Sequence, residues 1–444
     1  MRRRAPVQGP ANVAEARDHC GDNHVQETQS WFVGVDWASQ KHDVWLADAS
    51  GECLGKRTFE HSGEGLAHMC AWLIATSGGK PEDMHVAIEV PHGAVVETLL
   101  DRGFKVFAIN PKQLDRFRDR FSPSGAKDDS RDAETLSSSL RTDRRAFHQV
   151  ALASPVIIEL REWSRMADDL RADKIRHTNR LREQLQRYYP QMLQIDCDLA
   201  EEWFLKLWDA APTPADALRL RASQVEKLLK GHRIRRIGVA EVLGVLKQAA
   251  LTVAPGVTEA AVAHIRVLIA SIRLFAKQLM ESHRQLGKLC QLLAGPGSCE
   301  DGSTEPEQEQ AQRAVAILQS LPGTGRIVLA VLLAEAFDVL QRADYAILRV
   351  LCGVAPVTRR SGKSCAVTRR LACNPRLRNA IHYLADAARR CDEKSKAKYL
   401  ALRARGCSHA RALRTVGDRL FYVACAMLKN GKPFDPCFEA QKCA

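Results

Sequence analysis

The chain has 444 residues, 45% of them apolar, and carries 65 Lys and Arg against 52 Asp and Glu, a formal net charge of +13. That length exceeds what one hydrophobic core serves, so two or three domains are expected, and the basic excess, densest in the C-terminal third, favours a polyanionic partner, nucleic acid first. A membrane span and a secretory leader are not expected, because no run of about 18 apolar residues occurs and Met1 to Ser30 is basic, then polar, which places the protein in the cytoplasm.

The fourteen cysteines form no Cys-x-x-Cys pair. Most interrupt apolar helical patterns and are expected to be buried free thiols. Cys365 with Cys373, or Cys407 with His409, offer metal-ligand atoms, but no second pair of recognisable spacing completes a tetrahedral zinc site.

In chain order, residues 1–30 are expected to be a flexible arm. Three short β-rich runs follow, Trp31 to Asp36, Asp43 to Asp48 and Cys53 to Phe59, joined by turn-rich segments and expected to form an antiparallel meander. A helix near Leu66 to Thr76 leads to a strand at Met84 to Val90. A helix around Ala94 to Arg102 and a strand at Lys105 to Ile109 come next. This order, βββαβαβ and then a helix, predicts an α/β domain of RNase H-like type over residues 31–150. In that fold the first strand, the fourth strand and a late helix gather acids, and here those elements carry Asp36, Glu89 and Asp132.

Asp129 and Asp132 are three apart and therefore share one face of a helix or its first turn. Asp128 has nearly the same claim, since it lies four residues from Asp132, and spacing does not separate it from Asp129. Any one such acid is ordinarily a cap, a turn residue or part of a solvated helix face. Asp36 and Glu89 differ because they close two apolar runs, VGVD and VAIEV, at a sheet edge. Converging hard carboxylates suit paired Mg²⁺ ions and phosphoryl transfer, so Asp36, Glu89, Asp129 and Asp132 are the candidate metal ligands.

From Pro155 the pattern turns helical, with Leu160, Trp163, Ala167 and Leu170 stepping by three and four. A second stretch, from Val262 through Ile265, Ile269, Ile272, Ala276, Leu279, His283, Leu286 and Cys290 to Leu293, holds the same spacing unbroken and predicts a coiled-coil seam within residues 151–300. The pattern leaves open whether the seam closes within one chain or between chains, and self-association is its favoured use. His283 on the seam is a core or register-setting residue rather than a catalytic one. Between these helices Leu218 to Ile237 is basic, either a phosphate-contacting surface or a solvated helix face. Gly295 to Gln312, rich in Gly, Pro, Ser and acids, reads as a linker or closing loop.

In residues 301–444, Leu321-Pro-Gly-Thr-Gly-Arg326 runs into an apolar helix. Such a turn, with Gly323 and Gly325, presents backbone N–H groups to a DNA phosphate or is simply a turn. The strongest basic run follows: Arg359, Arg360, Lys363, Arg369, Arg370, Arg376 and Arg378, with no acid among them. Its apolar flanks favour a bound polyanion over disorder. Arg360-Ser361-Gly362-Lys363-Ser364 resembles the tail of a phosphate-binding loop, but position 357 is Val where that loop needs its first glycine, so an NTPase is rejected. A serine hydroxyl among guanidinium groups suits attack on phosphorus; Ser361 is the first candidate nucleophile and Ser364 the second. Helices at Asn379 to Arg390 and Arg411 to Leu428 are expected beneath this basic surface.

Several of these residues together resemble the DEDD-type transposases of insertion sequences, the group of the pilin-gene invertase and the bridge-RNA-guided recombinases. The resemblance runs from Trp31 to Pro436. It rests on Gly34-Val35-Asp36 with Lys41-His42-Asp43, on Ala87-Ile88-Glu89, on Lys127, Asp129, Asp132 and Ala133, on Leu321-Pro-Gly-Thr-Gly325, and on Gly353-Val-Ala-Pro356 followed by Ser361-Gly362. It implies a RuvC-like N-terminal domain, a coiled-coil connection and a mainly α-helical C-terminal transposase domain. Asp36, Glu89, Asp129 and Asp132 match the metal-binding quartet, which favours Asp129 over Asp128, and Ser361 matches the nucleophile. Lys127, Gly323, Gly325 and the basic run are the expected nucleic-acid contacts. Mg²⁺, donor and target DNA, a noncoding bridge RNA, and a dimer or tetramer whose protomers share the metal and serine domains are implied with it. The family's usual Lys-Thr-Asp is Lys127-Asp128-Asp129 here, an extra carboxylate beside the quartet. Two other functions fit part of the pattern: a structure-specific nuclease using the acids and water, with Ser361 as a phosphate ligand, and a non-catalytic nucleic-acid-binding protein.

Overall fold

The computed structural model describes residues 30–121, 129–150, 154–295, 306–362 and 364–436. It divides into two compact units, Met1–Leu152 and Ala153–Ala444. Lys127, Asp128 and Lys363, and what the sequence suggests of them, lie outside the described residues.

In the first unit the strands are β1 (Trp31–Trp37), β2 (Lys41–Ala47), β3 (Cys53–Glu60), β4 (Met84–Ile88), β5 (Lys105–Ala108) and β6 (His148–Gln149). The helices are α1 (Gly63–Ser77), α2 (Ala94–Asp101), α3 (Pro111–Phe121) and α4 (Asp129–Thr142). One sheet results, in the order β3-β2-β1-β4-β5-β6. The first three strands are the expected antiparallel meander, while β4 and β5 run parallel to β1 and β6 closes the far edge antiparallel.

Local chemistry fixes the turns. The Asp48 carboxylate accepts hydrogen bonds from Ser50 Oγ and from the Gly51 and Glu52 amides, at 2.7 to 2.8 Å, with Gly51 at φ +95°, so β2 turns back into β3. Ser62 caps α1 by accepting from the Gly65 amide at 3.0 Å, and Gly78 ends that helix in the left-handed region. Alternating side chains then fill both faces of the sheet. Val33, Val35, Val86 and Ile88 pack with Met69 and Leu73 of α1 on one side; Ala87 and Phe107 pack with Leu136 and Leu140 of α4 on the other. The short central strands are therefore buried on both faces, which leaves their ends as the place where polar chemistry can stand.

The second unit contains α5 (Pro155–Tyr188), α6 (Glu202–Ala210), α7 (Pro214–Arg219), α8 (Ala222–Gly231), α9 (Val239–Leu246), α10 (Val257–Ala294), α11 (Pro306–Ser320), α12 (Arg326–Gln341) and α13 (Tyr345–Leu351). After a hairpin of β7 (Val357–Ser361) and β8 (Ser364–Thr368) come α14 (Pro375–Cys391), α15 (Glu393–Ala404) and α16 (His409–Asn430). The seam foreseen along residues 262–293 closes inside the chain. Ile265, Ile269 and Ile272 of α10 meet Leu181 and Leu185 late in α5, whereas Leu286 and Cys290 share a core with Leu160 and Ala167 early in α5. The two long helices are thus antiparallel, with His177 and Phe275 ring to ring at 5.0 Å midway. The seam residues are thus filled within the chain by α5. Helices α6 to α9 wrap one end of the pair, and α11 to α16 build on the other. The expected linker up to Gln312 is shorter than foreseen, because α11 already begins at Pro306.

Four described thiols, Cys70, Cys290, Cys352 and Cys425, are buried as expected. Cys53, Cys365 and Cys391 are exposed and stand outside that expectation.

Candidate functional site

The sheet register brings two of the four candidate carboxylates to neighbouring strand ends, and α4 carries a third. Val35 of β1 pairs with Ile88 of β4 in parallel, so the next residues, Asp36 and Glu89, leave neighbouring strand ends side by side. Both are half-buried. Helix α4 then crosses β1 in unusually close contact: a Cβ on Gly34 would stand 1.8 Å from the Ala133 carbonyl oxygen. No side chain larger than hydrogen fits there, and this is why VGVD carries a glycine in a buried strand. The crossing sets Asp132, the residue before Ala133, near the ends of β1 and β4. Ser137 Oγ ties the same helix to the Phe32 carbonyl at 2.9 Å. Asp129 opens α4, but its side chain lies outside the described residues.

A cation already stands among these acids. Arg118 of α3 donates from Nε to Asp132 Oδ1 at 2.6 Å and from Nη2 to Oδ2 at 2.8 Å, and from Nη1 to Asp115 at 2.7 Å. Burial works against its charge, but the Asp132 hydrogen bonds and the charges of Asp132, Asp115 and Glu89 outweigh that and hold its pKa above the ordinary guanidinium range. Arg118 went unnoticed in sequence because α3 is dominated by charge. The signal present was Leu114 and Phe117, three apart, with Arg118 beside them.

The donor chemistry of Asp36, Glu89 and Asp132 fits a hard divalent cation. Their geometry is incomplete for one: among the described residues no three His, Cys, Asp or Glu side chains gather closely enough to hold a metal ion. The guanidinium on Asp132 supplies the positive charge there instead.

In the second unit, Ser361 ends β7 and faces Ser364 across the hairpin, with Gly362 at φ +52° in the connecting turn. Every described residue from Thr358 to Arg369 is exposed. Arg359 and Arg360 therefore share with Ser361 a strand that stands clear of the helical core, two-residue hairpin turns being favoured where a glycine takes positive φ. Arg369 is exposed just past β8, and Arg370 leans back to donate toward the Ala355 carbonyl at 3.4 Å. Arg378 is half-buried in α14.

Two expected nucleic-acid contacts are engaged within the chain instead. Arg376 lies 3.5 Å from Asp168 of α5 and 3.9 Å from Glu335 of α12, so its charge is neutralised inside the unit. Gly323, at φ +84°, abuts α14, where a Cβ would come within 2.6 Å of the Leu384 carbonyl and the Ala388 amide; packing, not a phosphate, explains this glycine. Gly325 does sit exposed at the N-cap of α12.

Comparison with known proteins places both regions in one lineage. A transposase profile matches residues 33–190, which hold all four candidate acids, and a profile of the transposase IS116/IS110/IS902 family matches residues 315–400, which hold Ser361 and the basic run. A mini-circle protein for IS117 from Streptomyces coelicolor, named for transposition, is 30% identical across 92% of this chain and 96% of its own length. The chain belongs to the IS116/IS110/IS902 transposase family. The y4uE protein of Sinorhizobium fredii, also named as a transposase, is 58% identical over 234 residues, a stretch spanning 52% of this chain and 65% of that protein, just under two thirds. A 43.6 kDa protein of insertion element IS110 from Streptomyces coelicolor is 24% identical over 90% of this chain. The first matched region covers the first unit and runs on into α5, and the second lies wholly within the second unit. No helix among the described residues is long and apolar enough to cross a membrane.

Proposed function

We propose that this chain acts as a DNA transposase that cuts and rejoins strands through a covalent phosphoserine intermediate at Ser361, with a RuvC-like first unit supplying an acidic metal centre. The observation that carries the reading is the pairing, on one chain, of Asp36 and Glu89 at adjacent strand ends with a serine displayed on an arginine-bearing hairpin. The strand order, with β1 central between an antiparallel pair and two parallel neighbours, supports the RuvC-like assignment.

The chemistry balances without a further reactant. Ser361 Oγ attacks a backbone phosphorus, an Oγ–P bond forms, a P–O bond to a sugar breaks, and the serine proton ends on the released sugar oxygen. A sugar hydroxyl of the exchanged strand then attacks the phosphoserine, the P–Oγ bond breaks, and the serine regains its proton. Energy of the phosphodiester is conserved, as strand exchange requires. Arg359 and Arg360, which share the serine's strand, stabilise charge on the phosphoryl oxygens. Divalent ions held by Asp36, Glu89, Asp129 and Asp132 would supply Lewis-acid stabilisation of that charge when bound. Guidance by a noncoding bridge RNA and assembly as a dimer or tetramer complete the proposal on the family's account alone.

The test compares strand transfer with nucleic-acid binding in Asp36→Ala. Transfer is expected to be lost while binding to element DNA stays within about twofold, because the variant removes a metal ligand and leaves the basic surface whole. Equal loss of both would count against the metal role.

A further inference from the structure

At the base of the serine hairpin the second unit forms a cleft of about 370 Å³, walled by Gly353 to Pro356, by Val367 to Arg370, and by the outer face of α16. Arg411 and Arg414 stand three apart on α16 and thus on one face, together with Asp418. The only carboxylate in that lining is already used: Asp418 accepts from Arg349 Nε at 3.1 Å and Nη2 at 2.6 Å, and from the Tyr345 hydroxyl at 2.9 Å. Arg349 and Asp418 therefore cancel. Among the described residues no carboxylate pairs with Arg369, Arg411 or Arg414, and three like charges converge on one concavity. Burial, then Arg369 and Arg411, lower the pKa of Arg414, the mark of a guanidinium held in place against repulsion.

A cluster of that kind costs stability in the empty protein and is relieved by an anion with several oxygens. We infer that the cleft formed by Arg369, Arg411 and Arg414 is a docking site for backbone phosphates of the DNA strand that Ser361 attacks. This deepens the proposed function and rests on it for the identity of the strand. Thr368 lies at the hairpin base and Ser361 at its tip, about 13 Å away at roughly 3.3 Å per residue. That span matches about four steps of a DNA strand at 3.4 Å per phosphate along the axis. The cleft holds the strand upstream or downstream of the attacked phosphate, and the hairpin acts as the ruler between them. Arg411 and Arg414 lie beyond the region matched by the second family profile, which ends at residue 400, and no feature of the basic run at 359–378 pointed to them.

The experiment measures binding of the full chain to a short fluorescein-labelled generic DNA duplex and, separately, to a single-stranded RNA of the same length, across a salt series. For Arg411→Gln with Arg414→Gln, DNA binding should weaken roughly tenfold, and the slope of log K against log salt should become shallower by about 1.8, the loss of two phosphate contacts. Arg411→Lys with Arg414→Lys should restore the slope. Arg284→Gln, an exposed α10 arginine paired with Glu281, is the control and should leave it unchanged. The double glutamine variant should melt no lower than the wild type without DNA, because repulsion is removed; a lower melting point with lost binding would mean a structural role and overturn the inference. An unchanged slope overturns it as well, as does a loss confined to RNA. A wild-type chain that forms a Ser361 adduct with the slope unchanged would sink the cleft and spare the proposed function. A reduced slope in a chain that never forms the adduct would do the reverse.

Discussion

Arg118 and Asp132 form a two-point guanidinium–carboxylate pair, at 2.6 and 2.8 Å, inside the group of acids that would hold metal. Both side chains are largely shielded, 25% and 14% exposed, so the pair contributes on the order of 1.5 to 3 kcal/mol of local stability. It also competes with any cation for Asp132. Replacing it as Arg118→Gln should raise the affinity for Mn²⁺ several-fold, up to about tenfold for 1.4 kcal/mol of released competition. Titration of free Mn²⁺ by electron paramagnetic resonance reads this directly. Affinity unchanged or lowered would mean that Arg118 is not in the ion's way.

The contact between Gly34 and Ala133 makes a second prediction. Gly34→Ala forces β1 and α4 apart, at a cost of roughly 1 to 3 kcal/mol for overpacking, and moves Asp132 away from Asp36. Gly63→Ala at the start of α1 meets nothing within 4 Å and should stay within about 0.5 kcal/mol of the parent. Urea unfolding of the two variants should separate them clearly; equal midpoints would show that the helix can shift without penalty.

His85 makes acid stability a readout of the sheet. It is 7% exposed, set between the Phe32 and Phe107 rings, and burial first, then Arg144 and Lys105, push its pKa down to about 4. The unfolded chain binds a proton near pH 6.5 and the folded chain does not. This stabilisation is therefore whole above pH 6.5 and is lost as pH falls from there toward 4, by at most roughly 3 kcal/mol. Comparing melting of the wild type and His85→Leu at pH 7 and pH 5 isolates the term: the wild type should lose more on acidification. A parallel loss in both would place the titration elsewhere.

Much of the first unit was legible in sequence because short alternating runs bounded by Gly, Asp and Ser turns leave few other arrangements. The strands at Trp31, Asp43, Cys53, Met84 and Lys105 all form, and Asp36 and Glu89 sit where apolar runs end. Relations between distant segments were not legible. Arg118 meets Asp132 only once α3 folds over α4. The α10 seam showed its period but not its partner, and α5, whose spacing loosens after Leu170, proved to be that partner. The basic run concealed a hairpin, although Thr358 to Ser361 and Ser364 to Thr368 flank a glycine turn. Arg376 looked like its neighbours and is distinguished only by Asp168 and Glu335, which lie in other helices.

The phosphoserine link at Ser361 can be read directly. Full-length protein would be incubated with Mg²⁺, DNA spanning the element's junction and target, and RNA from the flanking noncoding region, then denatured and digested for mass spectrometry. A nucleotide-bearing peptide with the modification on Ser361 is expected, absent from Ser361→Ala, whose exposed substitution should leave folding and DNA binding intact. Cleaved DNA ends without any adduct, or an adduct that persists in Ser361→Ala, would contradict it.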